Sequence, residues 1–329
     1  MRLDFVCSNP DISVGSYRIW IHDVAEVMRS MNCDVEIVDS VKNVRKDSIV
    51  IFSKGDYSSR KHLESDRIAG AINISAEAKS NFDFVIVGSP EEKKSLESYY
   101  DKVFIINLIE KMYDNCDLKN HNDKNDMTIG FHGSFTHLTK LKYGFVEAFN
   151  ELRNEGHEIR LSCLTNDNVS KNQISQMLGI SEKYLDLHHW NFQTAKNVIQ
   201  SFDVGIVPNI TDLGQQHPHL RTQTSINDGL YQADYMLRFK NKSNPGRAFV
   251  FYQLGIPVIA DLTPSNMPML YDESCGMIAT CSKTWKKSIA YFKSATCRNE
   301  IAKKAHQRFK QLYSLENDVK SMLSVIPSI

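Results

Sequence analysis

A polar loop that runs into a short apolar helix is the stretch of this sequence with the clearest chemistry. The loop carries Lys242, Ser243 and Asn244, and after a Pro-Gly pair Arg247 leads into a predicted helix over 248–254. A helix N-terminus presents unpaired backbone N–H groups and a partial positive charge, which suit a phosphate group. Lys242 and Arg247 would add charge-assisted donors at the same end. The pattern predicts an anion site, and a solvated basic turn before a core helix is the alternative.

The residues after this helix carry a resemblance to a known family. The helix ends at Gly255, and 255–260 reads Gly-Ile-Pro-Val-Ile-Ala. The stretch resembles the nucleotide-sugar-binding segment of GT-B glycosyltransferases, especially those of family 4, in which a lysine-containing loop precedes a helix and a G-x-P-V-I-A strand. Those enzymes commonly carry an acidic pair, E-x7-E, across the helix, and here the two places fall on Lys242 and Val250. The resemblance therefore implies a bound nucleotide diphosphate, but the identity of the donor does not follow from it.

A second loop follows the predicted strand from Met127 to Phe131. The resemblance makes it part of the donor site, because family 4 members place a basic residue and a lysine after this strand to bind the diphosphate. Lys140 matches the lysine, whereas Ser134 stands where an arginine is common, so that His132 or His137 would donate to the phosphate instead. For each side chain a structural or solvated role is the alternative. The donor-side candidates in this loop are His132, Gly133, Ser134 and Lys140.

Two further positions extend the predicted donor site. The segment 206–209 ends a predicted strand, and there Pro208 and Asn209 would line a pocket for the nucleotide base. Asp261 follows the strand over 258–260 and would orient Arg247 or a sugar hydroxyl, although a helix cap is an equal alternative.

A glycine loop near the N-terminus supplies the candidates for catalysis. Gly15, Ser16 and Arg18 begin the first predicted helix, where a glycine lets the backbone approach a ligand closely. In GT-B enzymes the matching loop faces the donor phosphates and the acceptor, and an ordinary strand-to-helix turn is the alternative. Asp11 is a candidate general base if the enzyme inverts configuration, but many loop aspartates are caps.

The elements that must position these loops are short apolar strands that alternate with helices. Apolar residues recur at i, i+4, i+7, i+8 and i+11 in two stretches. This spacing predicts a helix from Trp20 to Met31 and another from Leu141 to Leu152. Strands that alternate with helices at this spacing indicate doubly wound parallel sheets. The predicted strands are 3–7, 35–38, 48–53, 69–74, 82–87, 103–108, 127–131, 159–164, 184–187, 204–207, 258–260 and 275–279.

The pattern divides into two halves, which predicts an α/β fold of two doubly wound Rossmann-like domains with C-terminal helices, the GT-B layout. We expect an acceptor-side domain over 1–115 and a linker rich in Asn and Asp over 116–126. A donor-side domain over 127–312 would follow, and the helix over 313–329 would cross back to the first domain.

Composition limits the partners and the compartment. The chain of 329 residues has 39 basic and 39 acidic side chains, which disfavours nucleic acid as the main partner. Seven scattered cysteines without a C-x-x-C pair indicate neither a zinc site nor a disulfide framework, so we expect the cytoplasm. No cofactor and no metal are predicted. The basic, aromatic segment 283–287 would contact anionic lipid on the inner face of the membrane, or is simply a solvated helix face.

The expected function is therefore a metal-independent glycosyltransferase. It would move a sugar from a nucleotide-sugar donor to a hydroxyl of a glycan or lipid-linked acceptor. The resemblance implies a setting in bacterial surface polysaccharide synthesis. Two alternatives stay open, namely a nucleotide-sugar epimerase of GT-B fold and a non-catalytic GT-B-like subunit that binds a glycan or a partner, which the missing acidic pair favours.

Overall fold

The computed structural model describes residues 1–74, 81–142, 144–166, 168–209 and 244–326. It divides the chain into two compact units, which we describe separately. Lys242 and Ser243, two of the predicted donor-side residues, lie outside the described residues. The first unit comprises Met1–Asp114, Asn244–Gly246 and Leu312–Ile329, and the second comprises Asn115–Ser243 and Arg247–Gln311.

A six-stranded parallel sheet forms the centre of the first unit, in the order β2-β1-β3-β4-β5-β6. Its strands are Arg2–Val6 (β1), Asp34–Val38 (β2), Ile49–Phe52 (β3), Ala69–Ile72 (β4), Phe84–Val87 (β5) and Val103–Ile105 (β6). The helix α1 consists of Gly15–Tyr17, a π-helical turn Arg18–His22 and Asp23–Ser30, and the other helices of this unit are Pro90–Leu96 (α2) and Leu315–Val325 (α10). Short 3₁₀ turns occupy Val41–Asn43, Tyr57–His62 and Lys111–Tyr113.

A second six-stranded parallel sheet forms the centre of the second unit, in the order β12-β11-β10-β7-β8-β9. Its strands are Met127–His132 (β7), Ile159–Thr165 (β8), Leu185–His189 (β9), Val204–Val207 (β10), Val258–Ala260 (β11) and Met277–Ile278 (β12). Its helices are Phe145–Asn154 (α3), Lys171–Leu178 (α4), Ala195–Ser201 (α5), Gly246–Gln253 (α6), Met267–Leu270 (α7), Ser282–Tyr291 (α8) and Ala295–Leu312 (α9), and 3₁₀ turns cover Phe135–Lys142 and Glu182–Tyr184.

Both sheets contain a point at which the direction of strand addition reverses. In the first, the chain leaves β1 towards β2 and later returns to place β3 on the other side of β1. In the second, β8 and β9 extend one side of β7, and β10 then begins the other side. Ligands of open parallel sheets bind outside the carboxyl ends of the strands at such a point. The predicted fold class, two doubly wound α/β domains, is confirmed, and each sheet has one expected ligand position.

The segment between the two halves is anchored on the second unit by specific contacts. The backbone N–H of Lys119 donates to Leu254 O over 3.0 Å, and the ring Nε2 of His121 lies 3.0 Å from Gly255 O. The ammonium of Lys124 lies 2.7 Å from the carboxylate of Asp203. The Asn- and Asp-rich segment predicted as a linker therefore makes specific contacts with the edge of the second sheet where β10 and β11 begin.

Helix α10 packs against helix α1 within the first unit. The carboxylate of Asp318 accepts hydrogen bonds of 2.9 Å from both the backbone N–H and the side-chain amide of Asn107. The end of β6 is thereby tied to a helix that follows the whole second unit in the chain.

The basic segment 283–287 lies at the start of α8. Trp285 is 1% exposed and packs edge-on against Phe145, with ring centroids 5.4 Å apart. Lys286 forms ion pairs of 3.0 and 2.5 Å with Glu151 and Glu155 on α3. The aromatic side chain of this segment is therefore part of the core, and it is not available for a lipid surface. No helix in the described part of the chain has the length and apolar character needed to cross a membrane.

Glu92 in α2 gives the first unit a testable dependence on pH. Its carboxylate accepts from the backbone N–H of Gly88 over 2.7 Å and is buried, and burial raises its pKa to about 7. Because the folded chain holds this proton more tightly than the unfolded chain, unfolding releases it between pH 4.5 and 7. The free energy of unfolding should therefore fall as pH rises through this window, by on the order of 2–3 kcal/mol.

Glu92→Gln should remove this contribution, because glutamine does not titrate. Urea unfolding of the parent and the variant at several pH values would show this loss. The difference between their free energies of unfolding should change with pH. The matched control is Glu97→Gln, at the exposed end of the same helix. Its free energy of unfolding should differ from that of the parent by the same amount at every pH. An equal slope for both variants would contradict the assignment.

Candidate functional site

The second unit brings four predicted donor-side residues together at the reversal point of its sheet. His132 ends β7 and Gly133 follows it, Pro208 follows the neighbouring strand β10, and Arg247 lies in the first turn of α6. The proline–glycine entry and the glycine after the helix match the prediction, and Gly255 has the positive φ of 72° expected of a helix stop. The carboxyl ends of β7 and β10 therefore meet an N-terminal helix turn that carries a cation.

Arg247 is held in place by neutral groups, so that its charge is left for a ligand. One nitrogen, Nη2, donates to Pro208 O over 3.3 Å and to Asn209 Oδ1 over 3.2 Å. The other, Nη1, is buried and has no hydrogen-bond partner, and the side chain forms no ion pair with a carboxylate in the described part of the chain. Burial lowers its pKa to about 10 although Asp261 favours the charged form, so Arg247 is a cation at neutral pH. A buried donor without a partner costs free energy, which a bound anion would recover.

His132 supports the first turn of α6. It is 7% exposed, and its Nε2 lies 3.1 Å from Arg247 O. A carbonyl oxygen can only accept, so the ring must carry its hydrogen on Nε2. Burial lowers the pKa of His132 to about 4, which keeps the ring neutral. The histidine predicted to donate to phosphate instead donates to the backbone of the residue that carries the guanidinium.

Position 133 requires a glycine for two reasons, its backbone conformation and the closeness of the Arg247 side chain. Its φ is +131°, a region that side chains rarely adopt, and a Cβ atom there would lie 3.2 Å from Arg247 Cδ. A larger residue at this position would strain the loop and displace the guanidinium.

A buried polar cluster beside Arg247 contains two more atoms without partners. The carboxylate of Asp261 accepts from the backbone N–H of Asn209, and Asp261 O accepts from Asn266 Nδ2 over 3.1 Å. The bond from Arg247 Nη2 fixes the side-chain amide of Asn209, because arginine can only donate, and the bond to Asp261 O fixes that of Asn266, because a carbonyl can only accept. Asn209 Nδ2 and Asn266 Oδ1 are then buried and have no hydrogen-bond partner among the residues that the structure describes. The sequence placed Asn209 near this site but gave no sign of Asn266, which follows β11 by six residues.

Three other donor-side candidates are described by the structure, namely Ser134, Lys140 and Asn244. Ser134 Oγ lies 3.1 Å from Thr136 Oγ1, in the 3₁₀ segment that follows β7. Lys140, in the same segment, is 8% exposed. The side chain of Asn244 hydrogen-bonds to Glu92 and belongs to the first unit.

The four catalytic candidates lie in the first unit, where two of them have structural partners. Arg18 is 2% exposed, forms a 2.6 Å ion pair with Glu110 and donates to Ile12 O over 3.0 Å. The carboxylate of Asp11 accepts from Ser13 N over 2.9 Å and Ser13 Oγ over 2.8 Å, and these bonds lower its pKa. A lower pKa makes Asp11 a weaker base, and its geometry is that of a turn cap.

Gly15 and Ser16 form the first turn of α1. A Cβ at Gly15 would meet only Arg18 Nη2 at 3.7 Å, an ordinary contact, so no steric demand for glycine exists within the described residues. Ser16 is exposed and lines a pocket beside β1. Ser16 is therefore a catalytic candidate that lies at an open cavity of the first unit.

The fold has been seen in solved glycosyltransferase structures. TarM aligns with 12% identity over 87% of this chain and 56% of its own, with a TM-score of 0.59. A glycosyltransferase from Rickettsia africae ESF-5 aligns with 12% identity over 99% and 97% of the two chains, also at 0.59. Alr3699/HepE from Anabaena, in complex with UDP, aligns with 9% identity over 100% of both chains, at 0.55.

These likenesses concern the fold. The chain spans about 56% of the length of TarM. No protein-family model matches it, and no curated protein matches it in sequence. This chain has two six-stranded parallel sheets, and the alignment with the Rickettsia africae structure covers 99% of it. The chain therefore has the GT-B fold of these glycosyltransferases.

Proposed function

We propose that this chain is a glycosyltransferase that moves a sugar from a nucleotide-sugar donor to a hydroxyl of a glycan or lipid-linked acceptor. The observation that carries the proposal is the guanidinium of Arg247 at the N-terminal turn of α6, whose buried Nη1 has no hydrogen-bond partner in the described part of the chain. A cation beside backbone N–H groups at the carboxyl edge of a parallel sheet suits the diphosphate of such a donor.

The same arrangement suggests how the reaction is assisted. When the bond between the sugar and the diphosphate breaks, negative charge grows on the departing phosphate. Arg247 and the first N–H groups of α6 would stabilise that charge by hydrogen bonds that are already oriented, without a metal ion. Lys242 and Ser243 precede this turn in the sequence and are retained as donor-side candidates, together with Ser134, Lys140 and Asn244.

The amides of Asn209 and Asn266 would recognise uncharged parts of the donor. One offers a buried donor and the other a buried acceptor, which together match a hydroxyl group or the edge of a base. The place of the second acid of the E-x7-E pair is occupied by Val250, which is 1% exposed in the core face of α6. Recognition of the donor's ribose or sugar would therefore fall to these amides rather than to a glutamate.

The proposed setting is the cytoplasm, in the synthesis of a bacterial surface polysaccharide. The seven cysteines form no disulfide with one another in the part of the chain that the structure describes, which supports a reducing compartment. Peripheral contact with the membrane is compatible with this setting, but Trp285 would take no part in it, because it lies in the core, whereas Lys283 and Lys287 of the same segment are exposed.

Calorimetric titration with nucleoside diphosphates tests the proposal. UDP is the first probe, because the structure of Alr3699/HepE contains it, and GDP, ADP and CDP complete the panel. We expect one of the four to bind, and hydrolysis of the corresponding nucleotide sugar to release the same diphosphate. Binding without any release would favour a non-catalytic subunit. If none of the four binds, the assignment of a donor site is wrong.

A further inference from the structure

The segment that leads into α6 is held by two contacts within the first unit. Residues 244–246, the entry segment of α6, belong to this unit. The first of them, Asn244, hydrogen-bonds through its side chain to Glu92 of α2. The third, Gly246, has its backbone against Leu108, because a Cβ atom there would lie 3.0 Å from Leu108 Cβ. The start of α6 is therefore set by α2 and by the residues that follow β6.

Glu92 is a buried carboxylate that accepts more than one hydrogen bond. It is 6% exposed, and it accepts from the backbone N–H of Gly88 over 2.7 Å. Burial raises its pKa to about 7, whereas the bonds with Gly88 and the Asn244 side chain favour the charged form. A partner that favours a charged carboxylate must donate to it, so the Asn244 amide donates this hydrogen bond. The ionised form of Glu92 therefore holds Asn244 more firmly than the neutral form does.

The described surroundings of Glu92 contain few other charges. Burial is the main cause of its raised pKa, and the negative charge of the neighbouring Glu91 adds to it. Strand β6, which packs against α2, and the three residues of the entry segment carry no ionisable side chain. At the end of β5, a Cβ atom at Gly88 would lie 3.1 Å from Trp20 and from Leu108, which are both apolar. Among the described residues, the group beside the entry segment that titrates near neutral pH is therefore Glu92.

We propose that Glu92 is a positioning residue for the donor site, because through Asn244 it fixes the entry segment that precedes Arg247. Glu92 acts through Asn244 and does not contact the nucleotide. The proposal rests on the function proposed above, and it adds a control of that site by a side chain of α2. When Glu92 is ionised, the entry segment is held and Arg247 is presented to the diphosphate. When Glu92 is protonated, the segment is freer, so the affinity for the diphosphate should rise as pH increases through neutrality.

Hydrogen exchange followed by mass spectrometry tests the positioning without any nucleotide. We expect a peptide that covers 244–253 to exchange several-fold faster in Glu92→Gln and in Asn244→Ala than in the parent at about pH 8. The matched control is Asp83→Asn, which also turns a carboxylate into an amide in the first unit. Asp83 accepts from Ala69 N over 2.8 Å where β4 and β5 begin, at the opposite edge of the sheet, so exchange of the same peptide should equal that of the parent.

A combined variant separates this hydrogen bond from general damage to α2. Asn244→Asp places a second carboxylate beside Glu92, so exchange of the peptide should be fastest in this variant. Glu92→Gln added to Asn244→Asp should return the exchange towards that of the parent, because the glutamine amide can donate to the new carboxylate. Two changes that only disturbed the fold would add to each other instead.

Calorimetry with UDP, or with whichever of GDP, ADP and CDP binds, tests the effect on the donor site. The affinity of the parent relative to Glu92→Gln should grow by about fivefold between about pH 6 and pH 8, because a hydrogen bond to a charged group is stronger than one to a neutral group. Titration of the phosphate itself is common to both proteins and cancels in this ratio. Asn244→Ala should behave as Glu92→Gln does, and Asp83→Asn should follow the parent.

Unchanged exchange in Glu92→Gln, no recovery in the combined variant, or parallel pH profiles of the parent and Glu92→Gln would overturn the inference and leave the proposed donor site in place. If Glu92→Gln does not fold, Asn244→Ala decides, because Asn244 is half-buried and lies outside the core. Faster exchange in these variants without binding of any of the four diphosphates would instead refute the proposed donor site. That result would also refute the role of Glu92 there, but not its hold on the entry segment.

Discussion

Arg247→Ala is expected to weaken binding of the nucleoside diphosphate by at least tenfold. Within the described ranges the guanidinium has a buried nitrogen without a hydrogen-bond partner, and its hydrogen bonds go to neutral oxygens of Pro208 and Asn209. A hydrogen bond to a charged group contributes about 1.5–3 kcal/mol, and about 1.4 kcal/mol corresponds to a factor of ten in affinity. Arg247→Lys should fall between parent and alanine, because lysine keeps the charge but lacks the planar fork.

Calorimetry on the parent, the two Arg247 variants and one control variant measures this effect. The matched control is Arg160→Ala, which removes an arginine of the same unit whose charge is satisfied by Asp186 at 2.6 Å. Its affinity for the diphosphate should not change. If Arg247→Ala binds as tightly as the parent, α6 begins with a structural turn and the donor binds elsewhere.

Gly255→Ala is expected to destabilise the second unit by about 2–4 kcal/mol. Gly255 has φ +72°, and a Cβ there would lie 2.9 Å from both Leu118 Cβ and the backbone nitrogen of Lys119. The linker cannot move away easily, because Lys119 N donates to Leu254 O over 3.0 Å. The left-handed conformation costs about 1–2 kcal/mol for alanine, and overpacking adds about 1–3 kcal/mol.

Gly156→Ala is the control that separates these two costs. Gly156 also has a positive φ, +85°, but a Cβ there would meet nothing within 4 Å. The loss of unfolding free energy in Gly156→Ala should therefore be limited to the cost of the left-handed backbone. Urea unfolding in a Trp20→Phe background would follow the second unit alone, because Trp190 and Trp285 both lie in it. Equal losses in the two variants would mean that the linker yields to the added methyl group.

The strands were the part of the fold that the sequence predicted best. Each predicted strand is present, with ends that differ by a few residues, such as 103–108 against Val103–Ile105 for β6. Strands buried on both faces read as continuous apolar runs, which stand out from their polar surroundings. Helix α4 was missed, although Ser170 and Gln173 form a capping box and Gly179 ends it in the left-handed conformation. Those local signals would have identified it.

The partners of charged side chains could not be predicted from the sequence. Arg18 was a candidate for catalysis because it follows a glycine at a helix start, yet its partner is Glu110, 92 residues away. The basic residues beside Trp285 indicated a surface, but the indole packs on Phe145 of α3. Local patterns define elements, whereas these pairings arise only when distant segments meet. Arg247 was placed correctly at a helix start, while its neutral partners and its unpaired nitrogen required the structure.

The bond between Asn107 and Asp318 also bears on how the chain matures. Its two ends are 211 residues apart, and the whole second unit is made between them. At about 5–20 residues per second, a ribosome needs roughly 10–40 s to cover that distance. During that time the first six strands exist without α10, so the part of α1 that packs against α10 stays uncovered. The second unit is therefore synthesised in full before the last element of the first unit, although the sheet of the first unit is made earlier.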